Sequence, residues 1–203
     1  MKLYDFDRAP NPRRVRIFLA EKGISVPMVP VDLSRHEHKS PEFTRLNPRQ
    51  RVPVLELDDG TAISETMAIC RYFEALQPEP NLFGRTPAEQ GLVEMWQRRV
   101  ELELLVPIMM VLRHLNPGMA ASEVPQVPEW GEANKPKVLA YLEFLDTELA
   151  GRAYVAGDRF TVADITALVA LDFMRVIRTE VPAKLAHLLR WRDVVSQRPS
   201  AGA

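Results

Sequence analysis

The sequence predicts two domains of different class, an α/β domain followed by an all-helical domain. Residues 1–77 alternate short apolar runs with helical stretches in the order β-α-β-α-β-β-α. From Thr86 onward every periodic stretch has helical spacing. The proline-rich stretch 77–81 separates the two patterns, as expected of a domain boundary. We therefore predict domains at 1–77 and 89–203, joined by a linker at 78–88.

The bulk composition is that of an ordinary globular protein and argues against several function classes. The 203 residues carry 26 Lys and Arg against 27 Asp and Glu, a formal net charge of −1, which gives no support for nucleic-acid binding. The single cysteine, Cys70, excludes a disulfide framework and a cysteine-based metal cluster within one chain. No apolar run approaches the ~18 residues of a membrane span and no secretory signal is evident, so we expect a cytoplasmic protein without membrane or nucleic-acid partners.

The N-terminal stretch has the pattern of a strand–helix–strand unit. Residues 3–6 and the valine-rich run 24–32 are the expected strands. Between them, residues 12–22 have an apolar stripe at helical spacing. Asn11 is a suitable N-cap for this helix, and Pro12 suits its first position. The two strands are therefore expected to be parallel and joined by a right-handed crossover.

The stretch 51–72 combines a β-hairpin with the start of a helix. Pro53 opens its first strand, where a missing N–H is least costly, and the Asp-Gly pair at 59–60 is a strong turn signal. The helix begins at residues 64–66, and its free backbone N–H groups favour a bound carboxylate or phosphate. This stretch therefore predicts an anion site for a small molecule.

The other elements are helices that begin at prolines or capping residues. Thr161 and Asp164 form a capping-box pattern before a stretch that is apolar on most sides, which predicts a buried central helix. Both residues are therefore interpreted as structural. In the first helix, Arg13, Arg14 and Arg16 are interpreted as a solvated face. The remaining helices are expected at 41–46, 89–115 with a bend near Pro107, 129–149, 161–177 and, as one or two short helices, 182–197.

Five groups of residues, in order along the chain, carry a family resemblance. With the predicted order of elements, they make the chain resemble the cytosolic glutathione S-transferase family over essentially its whole length. The resemblance implies a thioredoxin-like N-terminal domain, a helical C-terminal domain, glutathione as co-substrate, no metal, and a homodimer. The groups are Pro10–Ile17 with Glu21–Ile24; His38–Phe43; Asn47–Pro48 with Val52–Leu55; Asp59–Gly60 with Ser64–Thr66; and Phe160–Asp164, followed by the typical ending Arg198–Ser200.

By this resemblance, two segments hold the middle and one end of glutathione. Pro53 would be cis, so that the backbone of Val52 pairs with the cysteinyl residue like an added strand; the alternative is a trans proline at a strand start. Glu65 and Thr66 match the acidic-hydroxyl pair that holds the γ-glutamyl end, although the family usually has serine where Thr66 stands. The alternative is helix capping alone, with Ser64 as N-cap and Glu65 favourable to the helix dipole.

The resemblance also implies contacts at the other end of glutathione and with the second substrate. His38 and Gln50 match positions that reach the glycyl carboxylate in some classes; for His38 the alternative is a solvated loop. The second substrate, an apolar small molecule, is expected between the first loop and the long helix, unless these side chains fill the helical core or a dimer interface. The expected lining is Ala9, Pro10, Leu105, Ile108, Met109 and Leu112.

The catalytic group is where the sequence departs from the family pattern. Members activate the glutathione thiol, whose free pKa is ~8.5, with a hydrogen-bond donor near the first helix. Ala9 stands where serine-type members have a hydroxyl, Tyr4 lies one residue too early for a tyrosine-type member, and the loop contains no cysteine. Asn11 remains, in a Pro-Asn pair similar to that of Nu-class members, and its amide N–H is the expected donor to the thiolate. The alternative is that Asn11 only caps the helix.

Two functions of different class remain open on this evidence. The first is a glutathione transferase that uses the thiolate against an electrophilic, peroxide or disulfide acceptor, with peroxidase or disulfide reductase activity in the last two cases. The second is a non-catalytic glutathione-binding or interaction protein on the same scaffold, because Ala9 replaces a catalytic residue. A narrower option is an isomerase or dehalogenase that uses glutathione as a cofactor.

Overall fold

The computed structural model describes residues 1–203 and shows two compact units. The first comprises Met1–Asn81 together with Pro199–Ala203, and the second comprises Leu82–Arg198. The first unit is a four-stranded sheet with helices and the second is mostly helical, so the predicted fold class is confirmed. The segment 199–203 belongs to the first unit, whereas the sequence placed it at the end of the helical domain.

The first unit contains four short strands: β1 (Lys2–Asp5), β2 (Met28–Pro30), β3 (Val54–Glu56) and β4 (Ala62–Ser64). Their order in the sheet is β2-β1-β3-β4. The pair β1–β2 is parallel, and the pairs β1–β3 and β3–β4 are antiparallel, which confirms both the strand–helix–strand unit and the hairpin. Strand β2 is shorter than the predicted stretch 24–32, and its ladder with β1 is bounded by hydrogen bonds from the Leu3 N–H to the Pro27 carbonyl and from the Val31 N–H to the Asp5 carbonyl.

The helices of the first unit are α1 (Pro10–Lys22), α2 (Pro41–Leu46) and α3 (Thr66–Leu76). The prediction that Asn11 caps the first helix is wrong: Ala9 is the N-cap, with φ −88° and ψ 139°, and Asn11 lies in the first turn. Pro10 suits the first helical position as well as Pro12 does. The Pro10 ring disfavours helical backbone at Ala9, and the extended φ and ψ of Ala9 place the helix start at Pro10. Asn11 also precedes a proline, but it is helical. Gly23 ends α1 at φ 65°, in the conformation that glycine favours.

The start of α3 also differs from the expected one. Ser64, the expected N-cap, is the last residue of β4 and pairs with Val54 in the ladder, so that expectation is wrong. Glu65 takes the cap position instead, with φ 74° and ψ 125°, and its side chain makes no capping hydrogen bond. The first amides of α3 are therefore left without a side-chain cap.

The second unit contains five α-helices: α4 (Pro87–Val100), α5 (Val106–Leu115), α6 (Pro128–Leu149), α7 (Val162–Phe173) and α8 (Ala186–Ser196). The predicted single helix 89–115 is divided by a π-helical turn at Glu101–Leu105. Pro107 follows in the first turn of α5, where its missing N–H needs no partner. In a continuous α-helix its ring would meet the carbonyl of Glu103, so the π turn relieves a clash. None of the helices combines the length and apolar character that a membrane span requires.

Helix α7 is the buried centre of the second unit, as predicted, since every residue of Val162–Leu171 is buried. The capping box at its start is also confirmed. The Asp164 carboxylate accepts hydrogen bonds from the amides of Val155 and Thr161 at 2.8 and 2.9 Å. It accepts two more, from Thr161 Oγ1 at 3.1 Å and Trp191 Nε1 at 2.9 Å. Burial raises the pKa of Asp164 to about 6, although these donors act in the opposite direction.

Candidate functional site

The starts of α1 and α3 meet in the first unit and bring predicted site residues together. Thr66 Oγ1 donates a hydrogen bond to the carbonyl of Asn11 at 3.5 Å, across 55 residues of sequence. Thr66 is only 4% exposed, so its hydroxyl is held in this position. The predicted thiol activator therefore lies next to a residue predicted to hold the γ-glutamyl end of glutathione.

The side chain of Asn11 is held at its oxygen and open at its nitrogen. Arg14 Nη2 donates to Asn11 Oδ1 at 3.0 Å, one turn further along α1. Because a guanidinium has only donors, the amide oxygen must be the atom that faces Arg14. The Nδ2 group faces away and has no hydrogen-bond partner within the chain. Asn11 therefore presents a free N–H donor at a helix start, where the macrodipole also favours negative charge.

The peptide bond between Val52 and Pro53 is cis, so the alternative of a trans proline is wrong. The side chain of Val52 is buried in a cluster with Val31, Phe43 and Val54. Strand β3 begins only at Val54, and neither the N–H nor the C=O of Val52 has a hydrogen-bond partner in the chain. A free donor and acceptor on one residue are what an added strand requires.

The first turn of α3 presents free amides beside a carboxylate. Glu65 is exposed, and its φ of 74° is one that non-glycine residues rarely adopt. The first backbone bond of the helix joins the Ile69 N–H to the Glu65 carbonyl, so the amides of Thr66, Met67 and Ala68 have no acceptor. Strained backbone of this kind costs about 1–3 kcal/mol and is concentrated at ligand-binding sites. The arrangement suits a group that carries both a carboxylate and an ammonium.

His38 and Gln50 lie in the loops before and after α2. His38 is 9% exposed, so the alternative of a solvated loop is wrong for this residue. Its buried Nδ1 has no hydrogen-bond partner. Burial, aided by neighbouring cations, lowers the pKa of His38, so the ring is a neutral donor or acceptor at pH 7. Gln50 adopts φ 53° and donates from Nε2 to Thr44 Oγ1 at 3.0 Å. Their contact with a glycyl carboxylate stays a prediction.

Arg14 contacts the predicted site residue Asn11, a contact that the sequence interpretation missed. It is 2% exposed, so the assignment of this arginine to a solvated face is wrong. Its spacing carries a signal, because it lies four residues before the buried Phe18 and so shares that face of α1. Arg16 is half-buried and pairs with Asp5 at 2.6 Å, so it is not simply solvated either.

The residues predicted to line a second-substrate pocket differ in exposure. Leu105 and Ile108 are 2% and 0% exposed, which favours the alternative that they are core residues. Pro10 is also buried. The role of all six residues in a pocket stays a prediction, with better support for the half-buried ones, which are Ala9, Met109 and Leu112.

Cys70 lies in α3 and is expected to be unreactive in the folded protein. It is 1% exposed, and burial raises its pKa to about 12, so almost no thiolate exists near neutral pH. A water-soluble aromatic disulfide should therefore leave the native protein unlabelled, and should label one thiol per chain in guanidinium chloride. Cys70→Ala, as the control, should show no labelling in either state. Stoichiometric labelling of the native protein would contradict the burial of this thiol.

Comparison with known proteins gives matches along the chain. The model of the glutathione S-transferase N-terminal domain matches residues 9–76, and that of the glutathione S-transferase C-terminal domain matches 105–199. Glutathione S-transferase 2 of Saccharomyces cerevisiae is 44% identical over 203 residues, which cover 98% of this chain and 87% of that protein.

Solved structures agree with these sequence matches. A glutathione S-transferase domain-containing protein of Marinobacter aquaeolei VT8 has a TM-score of 0.95 and 42% identity, covering 98% of this chain and 99% of that one. Gtt2 of Saccharomyces cerevisiae has a TM-score of 0.94 and 44% identity, covering 100% and 99%. Sequence, domain models and fold thus agree, and the chain belongs to the cytosolic glutathione S-transferase family.

Proposed function

We propose that the protein is a glutathione transferase in which Asn11 stabilises the thiolate of bound glutathione for attack on an apolar acceptor. The observation that carries this proposal is the open Nδ2 group of Asn11, a residue whose backbone carbonyl accepts a hydrogen bond from Thr66 at the start of α3. A donor suited to sulfur thus lies next to a residue suited to the γ-glutamyl end of the same molecule. Family membership supports glutathione as the co-substrate.

Three features of the first unit are assigned to glutathione. The free N–H and C=O of Val52 pair with the backbone of the cysteinyl residue. The uncapped amides of α3 hold the γ-glutamyl carboxylate, and Glu65 meets the ammonium group. The Thr66 hydroxyl joins them by exchanging its long 3.5 Å hydrogen bond to the Asn11 carbonyl for one to the carboxylate. His38 and Gln50 are assigned to the glycyl carboxylate. Asn11 is assigned to the sulfur atom, to which it donates a hydrogen bond.

The chemistry assigned to Asn11 is thiol ionisation. The proton leaves the sulfur for solvent, and the Nδ2–H group donates a hydrogen bond to the thiolate. A hydrogen bond to a charged group contributes about 1.5–3 kcal/mol, equivalent to about one or two pKa units. That shift brings a free thiol pKa of ~8.5 to the neutral range. With an electrophile, the thiolate forms a C–S bond as the leaving group departs.

Turnover of three acceptors tests this proposal. They are a chloronitrobenzene, cumene hydroperoxide and a mixed disulfide of glutathione, each assayed with glutathione as the reductant or nucleophile. We expect turnover of at least one, and the profile identifies conjugation, peroxide reduction or disulfide reduction as the main activity. Calorimetry measures glutathione binding on the same preparation. Intact binding with no turnover of any acceptor would overturn the enzyme proposal and favour a non-catalytic binding protein.

We also propose that the protein forms a homodimer through a groove in the second unit. The groove has a volume of about 570 Å³ and lies between the π turn with α5 on one side and α6 on the other. Four of its apolar side chains are between 38% and 48% exposed, and grouped apolar exposure of this kind is typical of interaction surfaces. A second copy of the chain is the occupant that fits an interface expected for the family. The four side chains are Leu102, Val106, Trp130 and Phe144.

A charge in this groove is expected to separate the dimer. Light scattering should give wild-type protein about twice the chain mass of 23.1 kDa, and Leu102→Glu close to 23.1 kDa, because the desolvation cost of a buried carboxylate exceeds what Lys137 of the groove can return. Leu139→Glu is the matched control: Leu139 is 41% exposed on α6 but does not line the groove, so this variant should remain dimeric. A monomeric wild type, or a dimeric Leu102→Glu, would contradict the proposal.

A further inference from the structure

We propose that Arg14 is a positioning residue for thiol activation, which holds the amide oxygen of Asn11 so that the amide nitrogen is presented to the glutathione sulfur. The inference rests on the proposed role of Asn11 and adds a second residue to it. The contact that carries it is the 3.0 Å hydrogen bond from Arg14 Nη2 to Asn11 Oδ1.

The orientation of the Asn11 amide decides whether this residue helps or hinders a thiolate. An amide carries a donor nitrogen and an acceptor oxygen of nearly the same shape, so a side chain without a partner can turn either atom toward the sulfur. The oxygen would repel a thiolate, and the nitrogen would stabilise it. Because a guanidinium only donates, its hydrogen bond with Asn11 is possible in just one of the two orientations. In that orientation the amide oxygen faces Arg14 and the amide nitrogen faces away from it.

Arg14 is fixed well enough to impose that choice. It is 2% exposed, within the packed face of α1. An arginine in the first turns of a helix is also unfavourable to the helix dipole, and the first turn of α1 has no acidic residue to offset it. The helix dipole therefore does not account for a buried cation at this position. Neighbouring Arg13 is directed elsewhere, with Nη2 donating to the carbonyl of Ala201 at 2.8 Å.

A double-mutant cycle on the thiol of bound glutathione tests the inference. The thiol pKa is measured from thiolate absorbance in the ultraviolet, with glutathione saturating. Asn11→Ala and Arg14→Met should each raise it by about one unit. The double variant should raise it no further than the larger single change, because both remove one hydrogen bond to sulfur. Calorimetry should show nearly unchanged glutathione affinity for all three.

Two further variants separate orientation from charge and from folding. Arg13→Met removes a cation from the same helical turn without touching Asn11, so the thiol pKa should stay at the wild-type value. Arg14→Lys keeps a donor and a cation, so the thiol pKa of this variant should stay close to the wild-type value. If Arg14→Met does not fold, Arg14→Leu replaces it in the cycle, because leucine is also apolar and has no donor for the Asn11 oxygen.

The outcomes distinguish this inference from the proposed function. If Asn11→Ala raises the thiol pKa and Arg14→Met does not, the positioning role is overturned and the proposed function stands. If the two shifts add in the double variant, Arg14 acts through its own charge and the positioning role is again overturned. If Asn11→Ala leaves the titration unchanged, the proposed thiol activation fails and the role of Arg14 fails with it.

Discussion

Replacing Asp164 by alanine is expected to lower the free energy of unfolding of the second unit by about 3–5 kcal/mol. One carboxylate accepts four hydrogen bonds at the start of α7, from two backbone amides, a hydroxyl and the indole of Trp191. The alanine variant leaves these donors buried without an acceptor. Each such group costs about 1–3 kcal/mol, and repacking recovers part of the sum.

Urea unfolding monitored by tryptophan fluorescence measures this effect directly. All three tryptophans of the chain lie in the second unit, so the signal reports on that unit. Asp146→Ala is the matched control, because Asp146 is half-buried and accepts a hydrogen bond from the Leu188 amide at 2.8 Å. We expect that variant to lose about 1 kcal/mol, as for an ordinary helix cap. Equal losses of unfolding free energy for the two variants would show that the capping box of α7 stabilises the protein no more than an ordinary helix cap.

Replacing Asn11 by alanine is expected to lower kcat/KM about 10- to 100-fold for whichever acceptor the wild type turns over best. The loss corresponds to one hydrogen bond to a charged sulfur, about 1.5–3 kcal/mol. The KM for glutathione should change little, since Val52 and the start of α3 are assigned to binding and remain intact. The effect should therefore appear in kcat, measured with glutathione saturating and the acceptor varied.

Asn11→Asp provides a second comparison at the same position. Both carboxylate oxygens are acceptors and can pair with Arg14, so the variant keeps that contact but offers no donor to sulfur. The added negative charge should also repel the thiolate, so this variant should be slower than Asn11→Ala. Activity equal to wild type in both variants would assign Asn11 to the structure of α1 alone, and thiol activation would have to come from another group.

The order of elements could be predicted because each depends on local signals. Gly23 has a left-handed conformation directly after the predicted helix 12–22, and Gly60 has positive φ in the predicted hairpin turn before β4. Helix starts were less predictable. Pro10 and Pro12 are equally suitable for the first helical position, and no sequence pattern distinguishes them. Ser64 has good cap chemistry, but pairing with β3 takes precedence over it.

The proposed binding residues followed from a family resemblance, whereas the contacts behind the proposed chemistry could not be read from the sequence. The hydrogen bond from Thr66 to Asn11 joins residues that no local spacing relates. The burial of Arg14 is a similar case, since an arginine among other arginines has the composition of an exposed face. Only the packing of α1 decides which of them turns inward, and that packing also orients the Asn11 amide.

The position of segment 199–203 has a consequence for how the protein is made. These residues belong to the first unit, where Arg13 donates to the carbonyl of Ala201 and Ser200 donates to Glu21, so they cover the outer side of α1. The ribosome delivers them only after the entire second unit. Helix α1 is therefore among the first helices synthesised and among the last to receive all its contacts. During translation, the packing around α1 is therefore completed only after the second unit has been synthesised.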